Sequence, residues 1–233
     1  MRDSSGEKRV LLAIDTATQN ASVALYDDRQ VWAERAWFSE RNHTIELLPA
    51  IAAMLAGQRL VPTDLKGVAV AIGPGSFTGM RIGVSVAKGL GLSLGIPVVG
   101  IPTLDVVAWP YANQRLPVCA VVHAGRGRFC VATYQRGRGK WSRQGEFRLV
   151  APACLPAGVT GQTIFCGELD GEARQAIAAA LGDQAIIASP AQSVRRAAVL
   201  AELAWERITA GQGDDLAALA PIYLHHAAEE HGA

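Results

Sequence analysis

Residues 73 to 95 read GPGSFTGMRIGVSVAKGLGLSLG and join a glycine-rich turn to a long, mainly apolar segment. Ser76 is a residue type that caps helix N-termini, so the segment predicts a turn followed by a helix that ends near Gly95. The flanking runs Val68–Ile72 and Val98–Ile101 are short and apolar, as buried strands are. A strand, a helix and a strand in this order predict a right-handed crossover between parallel strands.

The segments before this unit predict an antiparallel start and a first helix. Three β-prone runs are separated by turn residues and predict a meander: Val10–Ile14, Ser22–Tyr26 and Val31–Phe38. Asn42 is placed to cap a helix that ends at Gly57, and Pro49 inside this helix is expected to kink it. The first part of the chain therefore predicts one mixed sheet with flanking helices.

The second half repeats this scheme more loosely. Its predicted strands are Pro117–His123, Arg128–Tyr134, Thr163–Cys166 and Ala185–Ile187, and its predicted helices are Gly171–Leu181 and Ser193–Ala210. We therefore predict an α/β protein of two lobes, residues 1–103 and residues 104–233, in which the C-terminal segment packs back on the first lobe.

Composition excludes several classes of protein. Hydrophobic residues make up 50% of the chain and charged residues 18%, which excludes disorder and favours buried parallel strands. The four cysteines show no C-x-x-C pair and no zinc-ligand spacing, so we expect reduced, mostly buried thiols. Met1–Lys8 is too polar for a signal peptide, and Arg81 and Lys88 interrupt the most apolar stretch. We expect a cytoplasmic protein that does not span a membrane.

Two loops have some features of phosphate-binding loops, but neither fits well. Asp15-Thr16-Ala17-Thr18 offers an acid and hydroxyl groups after the first strand, but lacks the glycine that lets backbone amides approach a phosphate. Gly73–Gly79 opens a helix, yet Met80 and Arg81 follow it where a P-loop has lysine and a hydroxyl residue. We predict no cofactor. The alternative is a small-molecule kinase or ATPase that uses Asp15, Thr16 and the Gly73 turn.

The histidines and Ser76 predict no metal or catalytic site. His43 and His123 are solitary, and His225 and His226 are adjacent, whereas a helical metal pair needs H-x-x-x-H spacing. Ser76 lacks the G-x-S-x-G setting of a nucleophile. No catalytic residue and no metal ligand is therefore predicted.

A row of small residues runs along the predicted helix at spacings of four: Gly79, Gly83, Ala87, Gly91 and Gly95. Each helical glycine costs ~1 kcal/mol relative to alanine, so the row predicts close contact with another backbone. Two directions are open. In one, the row faces the lobe's own sheet. In the other, Ile82, Val86 and Leu90 face the sheet, and the row faces a partner together with the apolar side chains of Met80 and Val84.

The chain also carries a basic segment. Between Arg126 and Arg148, seven basic residues stand against the single acid Glu146, a local excess of six positive charges in a chain of formal net charge +1. The segment predicts either a solvated hairpin surface or a phosphate-facing patch that binds RNA. The basic residues are Arg126, Arg128, Arg136, Arg138, Lys140, Arg143 and Arg148.

Three blocks resemble the TsaB family, also called YeaZ: LLAIDTATQNASVAL at residues 11–25, RNHTIELLPAI at residues 41–51, and the stretch from Gly73 to Leu104. The resemblance is dense over residues 10–108 and thinner beyond, through VVHAGRGRFCVATY and the PIYL at Pro221–Leu224. It implies two RNase H-like lobes with mixed central sheets flanked by helices, the fold of the actin, sugar kinase and Hsp70 superfamily.

The same resemblance implies a role in tRNA modification. TsaB proteins are paralogues of TsaD, which transfers a threonylcarbamoyl group to tRNA adenosine from a threonylcarbamoyl-adenylate made by TsaC. The implied role is a non-catalytic scaffold or activator that forms a heterodimer with a TsaD-like subunit through first-lobe helices and is joined by a TsaE-like ATPase. Contact with tRNA would be indirect, and the chain alone would form a homodimer.

Particular residues agree with a non-catalytic role. TsaD-like enzymes bind metal through a histidine pair on the helix that corresponds to residues 42–56, and only His43 is present here. The glycines of the superfamily's nucleotide-binding hairpin are replaced at Ala17 and Thr18. Where the family usually has aspartate-alanine-arginine in the second lobe, this chain has His123-Ala124-Gly125-Arg126, so a role for that acid is not carried over. We assign the docking face to eight residues: Ser76, Gly79, Met80, Gly83, Val84, Ala87, His43 and Leu47.

Overall fold

The computed structural model describes residues 10–40, 42–137 and 139–224. Two five-stranded mixed sheets, each flanked by helices, form its frame. This arrangement confirms the predicted two-lobed α/β fold class.

Both sheets have the same topology. The first contains β1 Val10–Asp15, β2 Asn20–Tyr26, β3 Val31–Phe38, β4 Leu65–Ala71 and β5 Val98–Ile101, and the second contains β6 Val118–Gly125, β7 Arg128–Gly137, β8 Lys140–Val150, β9 Thr163–Gly167 and β10 Ala185–Ile187. Their strand orders are β3-β2-β1-β4-β5 and β10-β9-β6-β7-β8. Each sheet therefore contains a meander of three antiparallel strands. The first strand of the meander pairs in parallel with a fourth strand, which pairs in parallel with a fifth.

Within the described ranges, five α-helices cover these sheets: α1 His43–Gly57, α2 Phe77–Leu94, α3 Thr103–Ala108, α4 Gly171–Leu181 and α5 Ala197–Thr209. In the first lobe, α1 and α2 pack on the face that presents Leu12 and Ile14, and α5 packs on the face that presents Leu11 and Ala13. Because both faces of β1 are covered, its sequence is a continuous apolar run rather than an alternating one.

The end of the described chain returns to the first lobe. The Asp214 N–H donates to the carbonyl of Val98 at 2.8 Å, and the Asp214 carboxylate accepts from the Gly100 N–H at 2.7 Å. Further on, the Ile222 N–H donates to the carbonyl of Ile72 at 2.7 Å. Residues far apart in sequence therefore complete the first lobe. The division of the chain between residues 103 and 104 stays a prediction.

Some local expectations need correction. Asn42 precedes α1, but its side chain makes no capping hydrogen bond. The helix expected from Ser193 begins only at Ala197, because Val194 and Arg196 have extended backbone angles. Sequence reasoning also missed two elements. One is the short helix α3. The other is β8, which pairs with β7 along most of its length, although its polar and charged residues are not typical of a strand.

The cysteines are mostly buried, as expected. Cys119, Cys130 and Cys166 are buried and Cys154 is exposed, and all four are free thiols. Burial raises the pKa of Cys119 and of Cys130 to about 12. Of the helices in the described ranges, none is both long and apolar enough to cross a membrane.

Candidate functional site

The turn between β1 and β2 packs directly on the N-terminus of α2. The Ser76 N–H donates to the carbonyl of Ala17 at 2.6 Å, and the Thr16 hydroxyl donates to the carbonyl of Gly79 at 2.7 Å. A Cβ atom at Gly79 would lie 2.1 Å from the Thr16 carbonyl oxygen, which real side chains do not tolerate. Glycine is therefore required here for backbone contact within the chain. The Ser76 hydroxyl accepts from the Gly79 N–H at 3.4 Å, which confirms the predicted N-cap.

Of the two directions that the sequence left open for the small-residue row, the structure shows the inward one, toward the lobe's own sheet. Gly79, Gly83, Ala87 and Gly91 are buried, and so are Met80 and Val84 at 2% and 4% exposure. The physical reason is that β1 and β4 lie under this face of α2, and only small residues let the helix approach them. Gly95 belongs to the row by spacing alone: it has φ of 64° and ends the helix in the left-handed conformation.

This burial affects the eight residues that the sequence analysis assigned to the docking face, because a partner cannot contact a buried side chain. Ser76 is exposed, whereas His43, Leu47 and the five residues on α2 are buried inside the lone chain. A Cβ at Gly83 would lie 2.4 Å from the Thr16 hydroxyl, so a bulky residue there would disturb the fold as well as any partner contact. Docking through the pair α1 and α2 stays a prediction, but it needs a different set of side chains.

The outward face of this helix pair carries an apolar groove of about 430 Å³. Leu48 and Phe77 on its walls are 54% and 53% exposed, and neighbouring Ile45 is 72% exposed. Ile82 and Val86, two of the three residues of the alternative inward set, are partly buried and line this groove. Its lining residues are Thr44, Leu47, Leu48, Phe77, Thr78, Arg81, Ile82, Ser85 and Val86.

One end of the groove is ordered by aromatic and cationic contacts. The Arg81 guanidinium lies 3.8 Å from the centre of the Phe77 ring, and its Nε donates to the Tyr223 hydroxyl at 2.9 Å. The Phe77 and Tyr223 rings are 5.1 Å apart. The PIYL segment therefore supports the first turn of α2 and holds the exposed Phe77 ring in place.

A buried ion network joins the two lobes at the Asp15 turn. Arg195, whose side chain is 1% exposed, donates from Nε to Asp15 Oδ2 at 2.8 Å and from Nη1 to Glu168 Oε1 at 2.6 Å. Its Nη2 donates to the Thr18 hydroxyl at 2.8 Å and to the carbonyl of Asn20 at 2.7 Å. The Thr18 hydroxyl in turn donates to Glu168. Arg195, in the segment before α5, thus joins the first hairpin to Glu168, the residue that follows β9.

The charges in this network stabilise one another. Burial opposes ionisation of Glu168, but Arg195, the Thr18 hydroxyl and the His123 N–H outweigh it and hold the pKa of the carboxyl below its usual value. Burial also opposes the charge on Arg195, and the carboxylates of Asp15 and Glu168 outweigh it and raise the pKa of the guanidinium. Both groups are therefore charged at neutral pH.

The network bears on the kinase or ATPase alternative. Asp15, the acid on which that alternative depends, is fully buried, and its carboxylate is occupied by Arg195 and the Ala17 N–H. In the stretches that the structure describes, no three histidines, cysteines or acids come together as a metal-binding group. The expectation for His225 and His226 lies outside the described residues.

His43 sits beside the same turn and carries an unusual imidazole. The residue is 5% exposed, and its Nδ1 has no hydrogen-bond partner among the described atoms. Burial lowers the pKa of His43 from its ordinary value of 6.5, although Glu46 and the Thr18 backbone act in the opposite direction. The folded chain therefore favours neutral His43.

We expect His43 to make the fold less stable in mild acid. Its pKa is lower in the folded chain than in the unfolded chain, so its contribution is complete above about pH 6.5 and declines as the pH falls through that value. The decline is at most about 1.4 kcal/mol per pH unit. Urea denaturation between about pH 7.5 and pH 5 should show a steeper loss for the natural chain than for His43→Leu. Identical slopes for the two proteins would contradict the expectation.

Sequence reasoning missed the residues that shape both regions. The groove residues Leu48, Phe77 and Arg81 were visible only as parts of amphipathic helices. Arg195 and Glu168 carried no motif, and they meet Asp15 and Thr18 across 150 or more residues of sequence. The only available signal was an arginine after a polar turn, which is too common to be informative.

Comparison with known proteins finds relatives over most of the chain. Residues 37–153 match the family model described as TsaD: tRNA N6-adenosine threonylcarbamoyltransferase. The tRNA threonylcarbamoyladenosine biosynthesis protein TsaB of Bacillus subtilis is 31% identical over 223 residues, which cover 94% of this chain and 96% of that protein. The protein of the same description from Escherichia coli is 40% identical over 129 residues, which cover 54% of this chain and 55% of that protein.

Solved structures show a similar architecture. The crystal structure of an uncharacterized protein with similarity to peptidase YeaZ, from Pseudomonas aeruginosa, has a TM-score of 0.76 at 25% identity and covers 93% of this chain and 100% of that one. Component A of (R)-2-hydroxyglutaryl-CoA dehydratase from Acidaminococcus fermentans has a TM-score of 0.52 at 11% identity, with 87% and 99% of the two chains covered. The second likeness concerns the fold alone.

Proposed function

The chain belongs to the TsaB family, and from this premise we propose that it is a non-catalytic subunit that binds and activates a TsaD-like threonylcarbamoyltransferase in the formation of N6-threonylcarbamoyladenosine in tRNA. The family relation supports the pathway. The outward groove between α1 and α2 is the observation that supports partner binding.

The chemistry of the groove suits a helix of the partner. Exposed side chains at Ile45, Leu48 and Phe77 leave a continuous apolar surface that a lone chain must present to water. A groove between two helices can bind the apolar face of one or two helices of a partner, whose large side chains then insert into the groove. The buried glycine row lets α2, one wall of the groove, pack closely against the sheet.

The non-catalytic part of the proposal is supported by the ion network. A phosphate or metal at the Asp15 turn would compete with a guanidinium that already makes hydrogen bonds to both carboxylates. The TsaE-like ATPase is proposed as a further partner, and a homodimer through the same groove as the form of the isolated chain. A cytoplasmic location remains a proposal that rests on the free thiols.

A single charge in the groove tests the docking proposal. Leu48→Asp is expected to weaken binding to the cognate TsaD-like subunit at least about 100-fold, because a carboxylate would be desolvated in an apolar interface. Isothermal titration calorimetry with the purified subunits measures the effect. Leu48 is 54% exposed, so the variant should melt at nearly the natural temperature.

Val61→Asp is the matched control. Val61 is 55% exposed on the same lobe and does not line the groove, so the same change there should leave the affinity within about threefold. Natural affinity of Leu48→Asp, or an equal loss in the control, would rule out the groove as the docking site. Reconstituted tRNA modification with and without this chain then tests activation itself.

A further inference from the structure

A second surface, on the other lobe, combines aromatic rings with basic side chains. Arg136 stands opposite Trp141 in the ladder of β7 and β8, and Tyr134 stands opposite Arg143, so the four side chains share one face of the sheet. Trp109, just after α3, approaches this face. Two adjoining cavities of about 460 Å³ and 370 Å³ both include Trp109 and Trp141 in their walls.

The aromatic side chains on this surface are held in defined positions. The Tyr134 and Trp141 rings are nearly parallel, at 14°, with centres 5.9 Å apart. The Tyr134 hydroxyl donates to Asp105 Oδ1 at 2.5 Å, and the Trp109 Nε1 donates to Glu202 Oε1 at 3.0 Å. The two acids of the surface therefore orient aromatic rings by accepting their hydrogen bonds.

The cations stay available to a ligand. Arg136 and Lys140 are exposed, and neither forms an ion pair with any residue in the described ranges. The Arg143 guanidinium lies 3.9 Å from the centre of the Phe147 ring, and its Nε donates to the Gly145 carbonyl at 3.1 Å. Among the described residues, no acid accepts a hydrogen bond from it. Arg136, Lys140 and Arg143 thus line the two cavities whose walls include both tryptophans.

The pairing of β7 with β8 also divides the basic segment into two ends. Arg148 stands opposite Val131, and Arg126 lies in the turn before β7, so both are at the far end of the hairpin from Lys140. Arg138 lies outside the described residues. The cations that accompany tryptophan are therefore a distinct group, and the far end offers a control.

We propose that this surface binds single-stranded RNA, with bases stacked on Trp109 and Trp141 and phosphates held by Arg136, Lys140 and Arg143. Aromatic platforms bordered by cations are how proteins bind single strands without reading their sequence, because every base has a flat face and every nucleotide a phosphate. A duplex keeps its bases stacked inside the double helix, so they cannot stack on the indole rings of Trp109 and Trp141. The proposal is independent of docking, since the surface lies on the second lobe and the groove on the first.

The test uses the full chain alone and a fluorescein-labelled oligoadenylate of about 12 nucleotides, a length within the usual site size for single strands. Fluorescence anisotropy should show binding that weakens with salt, with a log–log slope of about −2, since each of three phosphate contacts contributes about −0.7. Trp141→Ala should weaken binding at least about tenfold. Arg136→Ser/Lys140→Ser should reduce the slope to about −0.7, and it keeps the fold because both residues are exposed.

Arg126→Ser/Arg148→Ser removes the two exposed charges at the far end of the hairpin and is the matched control. Natural affinity in this control, together with losses in the other variants, supports the proposal. Equal losses of affinity in both double variants would mean that RNA is attracted by positive charge in general, and this result would overturn the proposal. The proposal would also be overturned if the natural chain did not bind the RNA in about 50 mM salt, or if it bound a duplex equally well. A third contrary outcome is that an acidic peptide displaces the RNA while Trp141→Ala has no effect on binding.

Discussion

Replacing Arg195 with methionine is expected to lower the free energy of unfolding by about 3–5 kcal/mol, the usual effect of removing one partner from a buried ion network. The change leaves Asp15 and Glu168 without their common cation in a site where the three side chains are at most 9% exposed. Because the network joins the two lobes, the loss should appear as a lower midpoint in urea denaturation of the whole chain.

The neighbouring residue supplies the control. Arg196 forms an ion pair with Glu34, but its side chain is 56% exposed, so Arg196→Met should reduce stability by only about 0–1 kcal/mol. The two changes remove the same charge and add the same side chain. Equal effects would mean that burial of the network does not contribute as proposed.

Acid should separate the natural chain from the Arg195→Met variant. In the natural chain the pKa of Glu168 is below its usual value, so its contribution is complete above that value and is lost as the pH falls through the folded pKa. In the variant, burial of Glu168 is opposed only by two neutral donors, the Thr18 hydroxyl and the His123 N–H, without the charge of Arg195. Protonation near about pH 4 should then recover part of the lost stability instead of removing more.

Gly79→Ala is expected to destabilise the chain by about 3 kcal/mol or more, although alanine is the better helix former. The new methyl group would lie 2.1 Å from the Thr16 carbonyl oxygen, and this neighbour is backbone held by the hydrogen bond between the Thr16 hydroxyl and the Gly79 carbonyl. Either the turn or the helix must move. Thermal and urea denaturation both measure the loss.

Gly89→Ala is the matched change on the same helix. A Cβ there meets nothing within 4 Å, and the residue is exposed, so the variant should gain about 0.5–1 kcal/mol from helix propensity. The two substitutions should therefore change stability in opposite directions. A gain at both positions would show that the turn does not pack on α2 as described.

Local pattern was sufficient for most of the secondary structure. β3, β5, β10 and α4 have the predicted bounds, because each is a short β-prone or alanine-rich run between turn residues. The hairpin partner β8 was missed since most of its residues are polar or charged and it contains Gly145, and only pairing with β7 makes it a strand. Propensity is weak where tertiary contacts supply the stabilisation.

The candidate sites were harder to predict, and the small-residue row shows why. Its spacing correctly predicted that α2 makes a close contact along one face. Spacing alone does not say whether that contact is with the lobe's own sheet or with another protein, since both require small residues. The packing of Thr16 on Gly79 and Gly83 decides the matter in favour of the chain itself.

The sequence by itself determined the family, the two mixed sheets and the capped helix from Ser76, because these depend on residues close together in the chain. Only the tertiary structure decided that the glycine row faces inward, that Leu48 and Phe77 form the exposed groove, and that Arg195 closes the Asp15 turn. Arg195 and Asp15 are separated by 180 residues. Contacts of that range arise from the packing of whole lobes, and no local pattern encodes which side chains will meet.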